Sequence, residues 1–254
     1  MSNHLSLWPF PRMIVHRAGG FLAPENTRAA FEVAVNLKCD AIETDVMMTS
    51  DGKLILSHDE ELGRAVDGVG LVAEMTKVEL LKLDAGIRFG SQWKGQRMMT
   101  FEESLLFCHE YDLFMNIEIK PAKGFAKETA QAVARTLAAF AADGKIRGDR
   151  VLISSFSVQA LSAFRAVDAN TPCGLLLEAI PENWLSIAQE LGVKTVHPDY
   201  TTVTSEFVSV AHAAGLGVMA YTVDDVHQAQ ALLAMGVDAI CTNRPDMLAP
   251  VLTA

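Results

Sequence analysis

An α/β fold of parallel strands covered by helices is predicted by three features of this 254-residue chain. Short apolar runs alternate with amphipathic stretches of helical period along nearly its whole length. About eight such pairs fit into the chain, which is the arithmetic of a TIM (β/α)8 barrel. Gly192, Gly215 and Gly236 stand just past three of the helical stretches, where a left-handed residue commonly ends a helix. A doubly wound open sheet is the competing arrangement, and periodicity does not separate the two.

In chain order, the first strand is read at 13–16 (Met-Ile-Val-His), stopped by Arg17-Ala18-Gly19-Gly20, a turn whose glycines allow close backbone approach to a ligand. A helical pattern follows at 27–37, then a strand at 41–47 and an apolar run at 54–56. The rhythm breaks between Asp59 and Thr100, a span too long for a structureless loop in a compact domain. Thr76 and Glu79 are spaced as a capping box for a short helix through Leu83, so 59–100 is read as a small subdomain inserted in the barrel. The alternation then resumes, with helices at 101–110, 126–142, 158–167, 182–191, 205–214 and 226–235. The intervening strands are read at 114–119, 151–154, 173–177, 195–197, 217–221 and 239–242. No linker, repeat or low-complexity tract divides the chain, so 1–254 is taken as one domain.

Composition narrows the function. Apolar residues make up 50% and charged residues 20%, as in a globular protein with a sizeable core. The balance of 21 Lys+Arg against 31 Asp+Glu gives a net charge of −10, and no basic patch offsets it, which argues against nucleic acid. Cys39, Cys108, Cys173 and Cys241 lie far apart without a C-x-x-C pair, a spacing that fits buried free thiols in a reducing compartment. Residues 1–12 lack the apolar run of a secretory signal, and no stretch approaches the ~18 apolar residues of a membrane span. The expected location is the cytoplasm, with no stable membrane association.

Two strands carry charge where buried strands are normally apolar. In Ala41-Ile42-Glu43-Thr44-Asp45-Val46-Met47, Glu43 and Asp45 share one face and Ile42, Thr44 and Val46 the other. In 114–120, Asn116, Glu118 and Lys120 oppose Met115, Ile117 and Ile119. If the apolar faces meet the outer helices, the carboxylates point into the barrel, where ionised groups need partners. A divalent cation on Glu43, Asp45 and Glu118 would supply one, and all-oxygen ligation favours Mg²⁺, Ca²⁺ or Mn²⁺. The bland alternative is an ion-pair network, Glu118 with Lys120 or Asp45 with an arginine. His16 and His58 end apolar runs at the same rim, next to Arg17 and Asp59, and read as a general acid and base. The other histidines, at 4, 109, 197, 212 and 227, have no acidic company in sequence. There is no G-x-G-x-x-G after a strand, no P-loop and no G-x-S-x-G elbow, and the methionines at 47, 48, 98 and 99 read as core filler.

The residues His16-Arg17, Pro24-Glu25-Asn26-Thr27, Glu43-Thr44-Asp45-Val46, Thr49-x-Asp51-Gly52, His58-Asp59 and Glu118-Ile119-Lys120, in this order, closely resemble the glycerophosphodiester phosphodiesterase family. The likeness runs from about Arg12 to Pro245, and the Trp8-Pro9-x-Pro11-Arg12 opening and Asp84-Ala85-Gly86 look most like the bacterial cytosolic member linked to glycerol-3-phosphate uptake. The resemblance implies a TIM barrel with a small insertion after its second strand. It implies hydrolysis of glycerophosphodiesters, the deacylated phospholipids such as glycerophosphocholine and glycerophosphoethanolamine, to sn-glycerol 3-phosphate and an alcohol. One divalent cation, Mg²⁺ or Ca²⁺, would be held by Glu43, Asp45 and Glu118, with His16 and His58 as acid–base pair and Arg17 and Lys120 on the phosphate.

Three departures stand out. The family's H-R-G is His16-Arg17-Ala18 here, which strains the turn if the third position needs positive φ. Met99 replaces a usual proline, and Tyr221-Thr222-Val223-Asp224 replaces an aromatic-Thr-Val-Asn, changing a polar group near the rim and bearing on substrate preference. Tyr221, Phe89 and Trp93 are placed to touch the glycerol or head group, with simple packing as the alternative. The expected scheme has His16 as base on the attacking hydroxyl and His58 as acid on the leaving alkoxide. The sequence leaves open the reverse assignment, and whether water or the glycerol's own hydroxyl attacks. Rival readings are a related barrel phospholipase on intact lipid and a silent glycerophosphate-binding protein, but the full residue set argues against the latter. A monomer or small homo-oligomer is expected.

Overall fold

The computed structural model describes residues 7–252. Eight parallel strands close into a barrel in the order β1 (Met13–Val15), β9 (Ala239–Thr242), β8 (Gly217–Ala220), β7 (Thr195–Pro198), β6 (Cys173–Leu177), β5 (Val151–Ser155), β4 (Phe114–Ile119) and β2 (Ala41–Met48), with β2 returning to β1. This closure decides between barrel and open sheet. One further strand, β3 (Leu54–Leu56), runs antiparallel along β2 with Val46 opposite Leu56 and Met48 opposite Leu54.

The covering helices are α1 (Arg28–Asn36), α3 (Phe101–Glu110), α4 (Ala126–Ala142), α5 (Val158–Arg165), α6 (Trp184–Glu190), α7 (Ser205–Ala213), α8 (Val226–Ala234) and α9 (Pro245–Leu252). Several begin where a side-chain oxygen takes up a free N–H: Thr27 before α1, Thr100 before α3, Ser157 before α5, Thr204 before α7 and Asp225 before α8. Each such cap contributes about 1 kcal/mol. Helix α9 had no counterpart in the sequence pattern, because Pro250 within it and its eight-residue length hide its period.

Strand alternation sorts the core into two regions. Ile42, Val46, Met115, Ile117 and Ile119 face outward and pack with Phe31, Leu105, Val133 and Leu161 of the helices. Ile14, Ala41, Phe114, Leu152, Met219 and Cys241 face inward and fill the end of the barrel where the strands begin. Trp8 plugs that end, 4% exposed, its indole N–H donating to the Pro11 carbonyl and its ring edge-on to Phe10 and His197. His197 lies inside the barrel too, bonded to the Thr195 hydroxyl, and Gly174 makes the room: a Cβ there would sit 2.5 Å from its ring. All four cysteines are free and buried.

Residues between β3 and α3 carry a hydrophobic cluster of their own, in which Leu62, Val66, Val72, Leu80 and Ala85 pack on Met47, Ile55 and Met98. The Thr76–Glu79 capping box is formed, but the helix it starts, α2 (Lys77–Leu80), stops before Leu83. The Asp84 carboxylate then accepts from the N–H groups of Gly86, Ile87 and Gly95 at 2.8–2.9 Å, which fixes the Asp84-Ala85-Gly86 turn. Among the described residues, no helix is long and apolar enough to cross a membrane.

Candidate active site

The polar faces of β2 and β4 meet at the barrel's C-terminal rim. Their register sets Glu43 opposite Asn116 and Asp45 opposite Glu118, so the inward carboxylates stack on adjoining strands. Glu43, Asp45 and Glu118 each offer an oxygen within 4.8 Å of the others, and all three are buried. The same carboxylates also form the ion pairs of the alternative reading: Lys120 Nζ lies 3.2 Å from Glu118 and 3.6 Å from Asp45, and Arg17 Nε 4.0 Å from Asp45.

The ion pairs do not complete the cluster. Glu43 Oε1 and Asp45 Oδ1 are buried without a hydrogen-bond partner. Burial, reinforced by the neighbouring Asp45 and Glu118 charges, pushes the Glu43 carboxyl well above its ordinary range. Burial likewise raises Glu118, to about 7, with Asp45 adding to the effect and Lys120 opposing it. Burial would also raise Asp45, but the charges of Lys120, His58 and Arg17 and a bond from Asn26 outweigh it and hold it low. Buried oxygens without a hydrogen-bond partner and an all-oxygen donor set fit a hard divalent cation.

The carboxylates are oriented from behind. Asn26 Nδ2 donates to Asp45 Oδ2 at 2.8 Å, while its Oδ1 accepts from the Thr44 hydroxyl at 2.7 Å, which fixes the amide's orientation. The Arg17 backbone N–H donates to Glu43 Oε2 at 2.8 Å. That N–H points inward because the chain turns sharply after β1, with Arg17 at φ 51°, Ala18 at φ 66° and Asn26 at φ 57°. Ala18 thus does occupy the left-handed region, at a cost of about 1 kcal/mol relative to glycine.

Gly20 of the turn lines the cavity beside His16 and Arg17 and also makes a contact within the protein. Gly20 packs on the chain leaving β9, where a Cβ would fall 2.2 Å from the Asn243 carbonyl oxygen. Asn243 in turn holds His16, with Oδ1 2.8 Å from Nδ1. The Asn243 amide cannot turn around, because its Nδ2 donates to Asp224 Oδ2 at 3.0 Å and its backbone N–H to Asp224 Oδ1 at 2.7 Å. His16 therefore carries its proton on Nδ1, leaving Nε2 free, 4.0 Å from Glu43. Burial, with the Arg17 charge, lowers its pKa to about 4, so the ring is neutral at neutral pH. The departure at Asp224 accordingly acts on His16 through Asn243, and Asp224 does not line the cavity.

His58 is held differently. Its Nδ1 lies 2.6 Å from the Asp59 carboxylate, which can accept only from a protonated Nδ1 and so frees Nε2. Burial lowers its pKa, opposed by the charge of Asp45 and the bond to Asp59. His16, Arg17, Glu43, His58, Glu118, Lys120 and Tyr221 all line one open cavity of about 340 Å³. Asn116, Phe156 and Glu178 line it as well, and sequence reasoning assigned none of them a role. Phe156 stands edge-on to Tyr221 and 5.8 Å beneath Lys120 Nζ. The Tyr221 hydroxyl donates to the Leu177 carbonyl at 3.2 Å and is therefore already engaged. A second cavity of about 320 Å³ shares His16 and Arg17 and extends over Phe21, Glu25, Arg64, Arg88 and Phe89. Phe89 is thus at the site's edge, whereas Trp93 lines neither cavity. His212 proves to have an acidic partner, Asp238 at 2.9 Å, brought from across the sequence, while His4 lies outside the described residues.

Comparison with known proteins agrees with this geometry. The profile of the glycerophosphoryl diester phosphodiesterase family matches residues 16–247. A glycerophosphodiester phosphodiesterase of Caldanaerobacter subterraneus subsp. tengcongensis is 32% identical over 237 residues, covering 93% of this chain and 95% of its own. One from Bacillus subtilis is 32% identical over 251 residues, with 92% and 84% covered. Among solved structures, an Oleispira antarctica phosphodiesterase in complex with the product sn-glycerol-3-phosphate superposes with a TM-score of 0.90 at 30% identity, covering 96% of this chain and 98% of its own. The chain belongs to the glycerophosphoryl diester phosphodiesterase family, and its activity is that of a glycerophosphodiester phosphodiesterase.

Proposed function

We propose that the enzyme cleaves glycerophosphodiesters to sn-glycerol 3-phosphate and an alcohol by two-histidine acid–base chemistry beside a Mg²⁺ or Ca²⁺ ion held by Glu43, Asp45 and Glu118. The observation that carries this reading is the convergence, on one cavity, of two imidazoles with free Nε2 atoms, two cations and the carboxylates Glu43 and Glu118, with Asp45 in the same acidic cluster. The product bound in the Oleispira antarctica phosphodiesterase supports the glycerol 3-phosphate half of the assignment.

Arg17 and Lys120 bind the phosphate oxygens and offset charge that grows in the transition state. A divalent cation, when bound, polarises those oxygens as a Lewis acid. His16 Nε2 takes the proton of the attacking hydroxyl as the new P–O bond forms. His58 Nε2–H returns a proton to the departing alkoxide as the old P–O bond breaks. The two tethers support this division. A neutral amide on His16 and its deep burial keep that ring unprotonated, as a base requires, whereas at His58, which burial also lowers, the charge of Asp45 and the bond to Asp59 oppose the shift and favour a proton on the ring. The two cavities meet at His16 and Arg17, so a phosphodiester centred there has room for both ester arms.

The test is release of glycerol 3-phosphate from glycerophosphocholine and glycerophosphoethanolamine by the wild type, His16→Ala and His58→Ala. Each variant is expected to lose on the order of 10²–10⁴ in turnover. Near-full turnover by both would remove the two-histidine scheme, and cleavage of intact lipid in liposomes in preference to the soluble diesters would replace the substrate class.

A further inference from the structure

Arg64 lies in the segment between β3 and α3 and carries none of the proposed chemistry, yet it touches both halves of the site. Its Nη2 and Nη1 donate to Glu25 Oε1 and Oε2 at 2.7 and 2.8 Å, a two-pronged pairing, while its Nε donates to Asp59 Oδ2. Glu25 Oε2 also accepts from Arg17 Nη1 at 2.9 Å, and Asp59 Oδ1 is the atom that holds His58 Nδ1. One guanidinium therefore fastens two carboxylates, one gripping the phosphate-binding arginine and the other the acid histidine. A planar fork with three engaged N–H groups fixes direction as well as distance, which a lysine ammonium does not. Burial would raise the Glu25 carboxyl, but the bonds and charges of Arg64 and Arg17 outweigh it, so it stays ionised in both pairings.

We infer that Arg64 is a positioning residue that sets Arg17 and His58 in register across the phosphate, tying the inserted segment to catalysis. The inference rests on the reading of Arg17 and His58 given above. Isolated exposed ion pairs contribute little, but here Glu25 is four-fifths buried at its side chain, and Glu25, Arg64 and Asp59 are each bonded to two members of the chain.

The experiment is steady-state kinetics on glycerophosphoethanolamine with Arg64→Met, Arg64→Lys, Glu25→Gln and Asp59→Asn, singly and with Arg64→Met as background, plus inhibition by the product glycerol 3-phosphate. Glu25→Gln is expected to raise KM and weaken product inhibition, through Arg17, and Asp59→Asn to lower kcat, through His58. Arg64→Met should do both, with kcat/KM down on the order of 10²-fold as for a small misplacement of reacting groups. Adding either second substitution to Arg64→Met should cost less than it does in the wild type, since Arg64 acts through the same two carboxylates, and Arg64→Lys should recover part of the loss. If Arg64→Met, or Arg64→Lys should the former not fold, keeps wild-type kcat and KM while Arg17→Ala and His58→Ala are inactive, the tether is wrong and the reading of the site survives. Additive losses in the double variants would equally overturn the tether. Normal turnover by His58→Ala would instead overturn the reading beneath it.

Discussion

Asn26 shows how much of this site is carried by side chains that touch neither substrate nor reacting atoms. Its amide is locked by the Thr44 hydroxyl and presents Nδ2 to Asp45, leaving the other Asp45 oxygen free for a cation. Asn26→Ala should weaken Mg²⁺ or Ca²⁺ affinity by about 10–100-fold, the usual effect of losing a group that orients a ligand. Isothermal titration of the purified protein with each metal measures this, and unchanged affinity would mean that Asp45 needs no such support. The residues proposed to bear the chemistry were legible because charge interrupts the apolar alternation of β2 and β4, and because His16 and His58 end strand-like runs. Their keepers were not. Asn243 and Asp224 reach His16 only after β9 pairs with β1, and Arg64 meets Glu25 across 39 residues of sequence, so no local pattern announces either contact.

At the level of elements, the strands were easier to place than the turns joining them. The run at 114–119 and the helices at 101–110 and 126–142 are found with the expected bounds; Thr100 caps the first helix, and the second is long enough to show its period. The turn after β1 has a packing role that its sequence does not announce. Gly20 lies against the Asn243 backbone as well as lining the second cavity, and Phe21 N–H donates to the same carbonyl at 2.9 Å. Gly20→Ala places a methyl where the Asn243 carbonyl stands, at φ 55°, so that backbone must move and draw His16 with it. The expected result is a destabilisation of roughly 1–3 kcal/mol with kcat reduced beyond what the melting temperature explains. A melt and a turnover number on the same preparation check it. Full activity would show that His16 does not depend on this packing.

Over the whole molecule, one fold solves two packing problems with one alternation. The outward faces of the strands bind the helices, and the inward faces are apolar at one end and charged at the other. Trp8 and Phe114 seal the first end, so solvent and substrate meet the carboxylates only from the rim bearing His16, Arg17, His58 and Lys120. A closed barrel could not be told from an open sheet by periodicity, since closure depends on β1 pairing with both β2 and β9, the first strand with the last. The buried carboxylates Glu43, Asp45 and Glu118 are proposed to hold a cation for phosphodiester cleavage. The most direct measurement is release of glycerol 3-phosphate from glycerophosphoethanolamine before and after EDTA, followed by Mg²⁺ or Ca²⁺. Activity should vanish with chelation and return with one of these ions, and not return in Glu43→Gln. Undiminished hydrolysis in EDTA by a protein freed of metal would contradict the account.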